Sequence, residues 1–257
     1  MTIKHKDSSH IIAFGIKLST KNMEETVSYI FSQRDREKPF IREDLNAFKT
    51  ILKKDNHDVL AALLEADIVN ADGMSIVFAV KFLYGHSLPR VTGCDLFSRL
   101  LFECHERKKT VFLLGATKET IDHLHTSLTN TYSTNLIAGF RDGYFSSADW
   151  TSVIQDINDS SADFLFLGTP SPQKELFLNY AKNKLNKNMV LMGVGGSFDV
   201  LAGKVSRAPS WMQNSGLEWL YRFIQEPRRM WKRYLITNSK FSWILLKAKF
   251  EQLTRIK

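Results

Sequence analysis

The stretch VNADGMSIVFAVKFLYGHSLPRVTGCDLF, residues 69–97, decides how the chain is read. A short apolar run, Ala66 to Val69, reads as a buried strand and ends in Asn70-Ala71-Asp72-Gly73. An apolar run of helical length follows, Ile76 to Tyr84, and Pro89-Arg90-Val91-Thr92-Gly93 then returns a cation and a flexible loop before Asp95 opens another helix. One acid, one base and two glycine turns are thus gathered by a single strand–helix–loop unit. A carboxylate beside a glycine, just past a strand, sits where open α/β sheets place their ligands. The plainer reading of Asp72 is a cap for the helix that follows it.

The flanking sequence repeats the pattern. Thr110 to Leu114 is a strand ending in Gly115, and Ala116-Thr117-Lys118-Glu119 opens a helix whose N-terminus can face a phosphate. Asn135 to Gly139 is a strand, followed by a turn at 140–145 and a polar helix near Asp149 to Ile157. Asp163 to Leu167 is a strand followed by a proline-bearing loop and a helix from Leu176 to Leu185. Met189 to Met192 ends in Gly193-Val194-Gly195-Gly196. Upstream, Ile11 to Ile16 reads as a first strand interrupted by Gly15. Asn22 to Gln33 reads as a helix capped by Asn22, Asp35 to Lys38 as a charged turn, and Asn46 to Leu52 and Val59 to Leu64 as helices. Strands alternating with helices predict an α/β protein, a three-layer α/β/α Rossmann-like domain with a mostly parallel sheet covered on both faces.

The 257 residues suffice for one large α/β domain with an appendage. Cys94 and Cys104 form no C-x-x-C pair, so neither a disulfide framework nor a zinc site is expected. The N-terminus shows no signal peptide, and no window has the roughly 18 uninterrupted apolar residues of a membrane span. The net charge of +8 is uneven. Residues 204–257 hold twelve basic and three acidic side chains, a net +9, which leaves −1 for residues 1–203. Four of the five tryptophans, Trp211, Trp219, Trp231 and Trp243, lie in the same tail. We therefore divide the chain into an α/β body, 1–205, and a basic, aromatic, helical appendage, 206–257. Helices from Met212 to Ile224 and Arg228 to Lys249 would mix aromatics with cations, which suits an anionic bilayer surface. A helical hairpin packed on the body accounts for the same composition.

Several named motifs fail. The third glycine of a dinucleotide fingerprint starting at Gly193 would fall on Phe198, and Ala202-Gly203-Lys204 lacks the upstream glycine and the Ser/Thr of a phosphate loop. There is no H-E-x-x-H, no His/Cys ligand set and no Asp-x-Asp. Pro170-Ser171-Pro172-Gln173-Lys174-Glu175 places an amide, an amine and a carboxylate at a helix start, where they can read sugar hydroxyls and a diphosphate. A capped helix with solvated charges is the alternative there.

In order, NADGM (70–74), PRVTGCDL (89–96), VFLLGA (111–116), DGYF (142–145), PQKE (172–175), GVGGSFDVLAGKVSRAP (193–209) and GLEWLYRFIQEPRRMWKRYL (216–235) resemble the WecG/TagA/CpsF family of bacterial glycosyltransferases. The resemblance implies inverting, metal-independent transfer of a sugar from a UDP-sugar to an undecaprenyl-diphosphate-linked saccharide at the cytoplasmic membrane face. The donors it implies are N-acetylmannosamine, its uronic acid or a hexose. It also implies no cofactor and a C-terminal membrane-targeting appendage. By position, Asp72 matches the family's general base and Arg90 an arginine that stabilises diphosphate charge. Asn46 matches the asparagine of a Thr-x-Asn motif whose threonine is Asp44 here. An added carboxylate would raise the pKa of Asp72 or alter acceptor choice. The usual Pro-Lys-Gln-Glu reads Pro-Gln-Lys-Glu, with Gln173 and Lys174 exchanged. Arg222, Arg229 and Arg233 match basic appendage positions.

The expected substrate contacts are therefore Asp44, Asn46, Asn70, Gly73, Thr92, Gly93 and Gly115 from the first half of the chain. From the second half they are Gln173, Lys174, Glu175, Gly195, Gly196, Arg222 and Arg229. The expected partners are the UDP-sugar, the lipid-linked acceptor and the anionic membrane, without nucleic acid; a homo-oligomer is compatible with the sequence. The competing classes are a non-catalytic membrane or nucleic-acid binding module built on the basic tail, and a nicotinamide-dependent oxidoreductase. The near-neutral body argues against the first, and the failed fingerprint against the second.

Overall fold

The structure, a computed structural model, describes residues 9–33, 36–185 and 188–254, with the side chains of Asn214, Arg229 and Arg233 outside that description. Asp35 of the expected charged turn also lies outside the described residues. From the N-terminus the elements are β1 (His10–Ala13), β2 (Ile16–Ser19), α1 (Met23–Ser32), β3 (Phe40–Leu45), α2 (Ala47–Asp55), α3 (His57–Glu65), β4 (Ile68–Ala71), α4 (Met74–Tyr84) and α5 (Gly93–Glu106). They continue with β5 (Val111–Gly115), α6 (Lys118–Thr131), β6 (Ile137–Arg141), α7 (Trp150–Asp159), β7 (Phe164–Gly168), α8 (Gln173–Ala181), β8 (Val190–Gly193), α9 (Ser197–Leu201), α10 (Ser210–Asn214), α11 (Glu218–Gln225) and α12 (Pro227–Thr254).

Strands β3 to β8 form one parallel sheet in the order β4-β3-β8-β7-β5-β6. Alternation along each strand separates two cores, because successive side chains leave a strand on opposite faces. Val111 and Leu113, Phe164 and Phe166, and Val190 and Met192 face α1, α5, α6 and α9. Phe112 and Leu114, Leu165 and Leu167, and Leu191 face α7 and α8. The result is a three-layer α/β/α fold, as the alternation of apolar runs predicts. Gly168 permits it locally: a Cβ there would stand 2.5 Å from the Phe198 ring, which fills the α9 side.

Two elements differ from the sequence reading. Residues 11–16 are not one strand. Phe14 and Gly15, with φ of 54° and 76°, make a two-residue turn, and β1 pairs antiparallel with β2. Positive φ at both turn positions is the geometry that joins twisted strands tightly. The larger difference is β3, whose FIREDL sequence has no apolar alternation, yet all six residues are buried. It lies between β4 and β8.

A third core closes the β4 edge. Phe14, Ile16 and Leu18 of the hairpin meet Val69 and Ala71 of β4, Ile76 and Val80 of α4, and Phe241 of α12. The Phe14 and Phe241 rings lie 6.0 Å apart. The expected helix from Met212 to Ile224 is two, α10 and α11, parted at Gly216, whereas the expected Arg228–Lys249 helix runs on to Thr254 as α12. Pro227 begins α12, a position where the missing N–H costs nothing. Among the described residues no helix is long and apolar enough to cross a membrane. The same helices expose Trp211, Trp219, Trp231, Trp243 and Phe250.

Candidate active site

The C-terminal ends of β3, β4 and β8 converge on one rim, and Asp72 stands on it, one residue past β4. It does not cap α4: Gly73 is the N-cap and makes no side-chain cap bond. Asp72 Oδ1 instead accepts the backbone N–H of Gly93 at 2.8 Å. Gly93 is the first residue of α5, so the carboxylate meets the positive end of that helix. Thr92 caps α5, accepting from the Asp95 N–H at 3.1 Å. Burial, and then the Asp44 carboxylate, push the Asp72 pKa up, against the Gly93 N–H, Arg42 and Arg222. A carboxylate with a raised pKa at a strand end is suited to take a proton.

Beneath Asp72 lies a charged floor. Lys49, 1% exposed, reaches Glu43 Oε2 at 2.7 Å, Glu175 Oε1 at 2.9 Å and Asp44 Oδ1 at 3.2 Å. Lys174 Nζ adds a second contact to Asp44 Oδ1 at 3.3 Å and lies 3.5 Å from Glu175. Arg42, fully buried, donates Nε to Asn70 Oδ1 at 3.1 Å and Nη2 to the Val91 carbonyl at 3.2 Å. Its Nη1 stands 4.0 Å from Asp44 Oδ1. Three cations thus meet three carboxylates, which is how charge survives in a dry interior. Burial works to raise the pKa of Asp44, but Lys174, Lys49 and Arg42 hold it below the usual carboxylate range. Glu175 is likewise lowered, against burial, by Lys49 and Lys174. Lys49 is held well above the ordinary lysine value, against burial, by Asp44, Glu43 and Glu175.

The C-terminal segment covers one side of the rim. Arg90 donates Nε to the Asp72 carbonyl at 3.3 Å, Nη1 to the Gln213 carbonyl at 2.6 Å and Nη2 to Glu218 Oε2 at 2.7 Å. Arg222 also contacts Glu218, at 3.1 Å, and Arg207 pairs with Asp95 at 2.5 Å. Gly216, at φ +77°, seats the turn against Met74; a Cβ there would come within 2.8 Å of Met74 Cγ. A fork expected to face a diphosphate is thus engaged by the protein's own C-terminal segment.

The other expected residues divide. Gly73 and Gly93 flank Asp72. Asn46 caps α2, accepting the Lys49 N–H at 3.0 Å and donating to Asp44 Oδ2 at 3.2 Å. Asn70 is buried, bonded to Arg42 and to Thr26 Oγ1. Lys174 and Glu175 are buried in the floor, whereas Gln173 is exposed. Gly195 and Gly196 have open space where a Cβ would be. Gly115 ends β5, four strand spacings from β4, or about 19 Å. The Arg229 side chain lies outside the described residues. Arg42, Glu43 and Lys49 were missed. The signal for them was three consecutive charges, Arg42-Glu43-Asp44, placed between an apolar pair, Phe40-Ile41, and Leu45. Among the described residues no group of three His, Cys, Asp or Glu side chains is placed to hold a metal ion.

A parallel sheet that gathers a carboxylate, guanidinium groups and an open glycine turn at its strand ends has the arrangement in which α/β enzymes hold their ligands. The sequence profile of the glycosyl transferase WecG/TagA/CpsF family matches residues 11–255. A Bacillus subtilis (strain 168) protein, N-acetylglucosaminyldiphosphoundecaprenol N-acetyl-beta-D-mannosaminyltransferase, is 35% identical over 208 residues, 81% of this chain and 78% of the relative. The chain belongs to the WecG/TagA/CpsF family and is a glycosyltransferase.

Proposed function

We propose that the protein moves N-acetylmannosamine, or a related uronic acid or hexose, from a UDP-sugar to a saccharide on undecaprenyl diphosphate, in surface polysaccharide synthesis. The observation that carries the reading is Asp72: a half-buried carboxylate with a raised pKa, held by the Gly93 N–H, on the same rim as Arg90 and Arg222. Asp72 takes the proton of the acceptor hydroxyl as that oxygen bonds to the anomeric carbon. The bond from the anomeric carbon to the UDP oxygen breaks, and its electron pair leaves on the diphosphate. Arg90 and Arg222 offset the charge that develops there. A single displacement inverts the anomeric centre. The beta linkage in the relative's name fits inversion from an alpha-linked nucleotide sugar. No step uses a metal.

The lipid-borne acceptor calls for a membrane surface, and residues 206–257 have the composition for one. Each basic residue near an anionic leaflet contributes about 1 kcal/mol, and the exposed tryptophans fit the headgroup region. The body, 1–205, then works as a peripheral enzyme on the inner face of the bacterial membrane. The test is UDP release from a panel of UDP-sugars, with short-chain polyprenyl-diphosphate-GlcNAc as acceptor, in EDTA. Release with UDP-N-acetylmannosamine, lost in Asp72→Asn, is expected. No release with any donor overturns the reading, and a strict need for divalent metal overturns the metal-free scheme.

A further inference from the structure

The Glu218 carboxylate lies between two guanidinium groups. Its Oε2 accepts from Arg90 Nη2 at 2.7 Å and its Oε1 from Arg222 Nη2 at 3.1 Å. The carboxylate is 14% exposed. Arg207 feels the charge of Glu218, and its Nε and Nη2 are buried without a partner. Three guanidinium groups gather here, Arg90 and Arg222 paired with Glu218 and Arg207 with Asp95. Guanidinium forks converging on one oxyanion, with further donors unfilled, are the geometry by which proteins hold phosphate groups. Buried N–H groups left without an acceptor are costly, and a ligand with more oxygens than a carboxylate would satisfy them.

We propose that Glu218 is a placeholder in a diphosphate site formed by Arg90, Arg207 and Arg222, and that an arriving diphosphate displaces it. A diphosphate carries more charge and more acceptor oxygens than one carboxylate, so it can hold Arg90 and Arg222 and also fill the Arg207 donors. The exchange has a mechanical consequence. Glu218 is the first residue of α11, and α11 is joined to the Asp72 loop through the Arg90–Glu218 contact. Displacing the carboxylate frees the first turn of α11 around Glu218, while the diphosphate holds the helix through Arg222. Glu218 is an internal competitor: it neutralises the guanidinium groups until a diphosphate takes its place. The identity of the ligand as a substrate diphosphate rests on the transferase reading above; the exchange itself does not.

The experiment measures binding without turnover. Calorimetry on the full chain at low ionic strength compares wild type and Glu218→Gln for inorganic pyrophosphate, UDP and farnesyl diphosphate. Removing the internal competitor should tighten pyrophosphate about tenfold, the scale of one charge-assisted hydrogen bond. Tightening of UDP alone assigns the site to the donor, and of farnesyl diphosphate alone to the acceptor; either supports the exchange. Unchanged or weaker binding of all three by a folded Glu218→Gln overturns it, because a purely structural carboxylate would loosen the arginines on removal. If Glu218→Gln does not fold, the wild type serves. Pyrophosphate should then speed amide hydrogen exchange at 218–221, the turn that Glu218 releases, and no change or added protection there overturns the proposal. Absence of sugar transfer together with tighter pyrophosphate binding would sink the transferase reading and leave this exchange standing.

Discussion

Lys174 Nζ and Asp44 Oδ1 lie 3.3 Å apart across the C-terminal end of β8. The lysine stem crosses Gly193 so closely that a Cβ there would meet Lys174 Cδ at 2.8 Å. The departures that the resemblance implies, Asp44 in one motif and the Gln173/Lys174 exchange in another, therefore meet in one contact, through Lys174. We expect Asp44→Asn and Lys174→Gln each to destabilise the protein by about 3–5 kcal/mol, because each strands a buried charge. The double variant should lose less than the sum of the two. Urea titrations of the four proteins measure the coupling; additive losses would show that the contact carries no energy.

Lys49 offers a test by pH. In the wild type the lowered pKa of Asp44 and Glu175 contributes stability above the unfolded carboxylate values, near pH 4, which is lost as pH falls below them. Lys49→Met leaves buried carboxylates short of a cation. Their native pKa then rises above the unfolded value, and protonation favours the folded form. The variant should be destabilised by about 3–5 kcal/mol at pH 7 and should regain stability on acidification. Thermal melts between pH 4 and 7 that keep the wild-type slope would contradict this.

Asp72→Asn should separate activity from stability. Loss of a general base costs about 10²–10⁴-fold in turnover. Because the Asp72 pKa is raised in the fold, its ionised form opposes folding, and that penalty grows as pH rises through the native value. The variant should melt at or above the wild-type temperature at pH 7, with the difference vanishing in acid. The same displacement places the acid limb of kcat/KM in the wild type above about 3.9, the value of a free aspartate. A limb at or below that value would remove Asp72 as the base.

Gly216→Ala tests how the C-terminal segment is seated. A left-handed backbone and contact with Met74 both oppose the methyl group. Strain of this kind costs roughly 1–2 kcal/mol, confined here to the turn. Faster tryptic cleavage within 207–228, with an unchanged melt of the sheet, is expected; wild-type cleavage rates would show that the seat tolerates the side chain.

The sheet was legible where burial comes from apolar side chains. TVFLLG, DFLFLG and the strand before GVGGSFD read as strands because both faces of a parallel sheet are dry. FIREDL was invisible for the opposite reason: its three charges are buried by pairing, Glu43 with Lys49, Asp44 with Lys49 and Lys174, and Arg42 with Asn70 and the Val91 carbonyl, and no apolar pattern announces such partners. The hairpin turn was hidden by Phe14, a bulky residue at positive φ. Asp72 and Arg90 could be picked out as a strand-end acid and a loop cation. That Asp72 answers to α5 through Gly93, and Arg90 to Glu218, depends on tertiary contacts.

The ring contact between Phe14 and Phe241 ties an early hairpin to the last helix. A ribosome adding 5–20 residues per second needs roughly ten to forty-five seconds to travel between them. Through that interval the slot beside β4 stays open, exposing Phe14 and its neighbours to chaperones or to other nascent chains. A chain halted near residue 205 would keep that slot for good, so clipping this protein at its C-terminus should yield a sticky fragment instead of a tidy enzyme core.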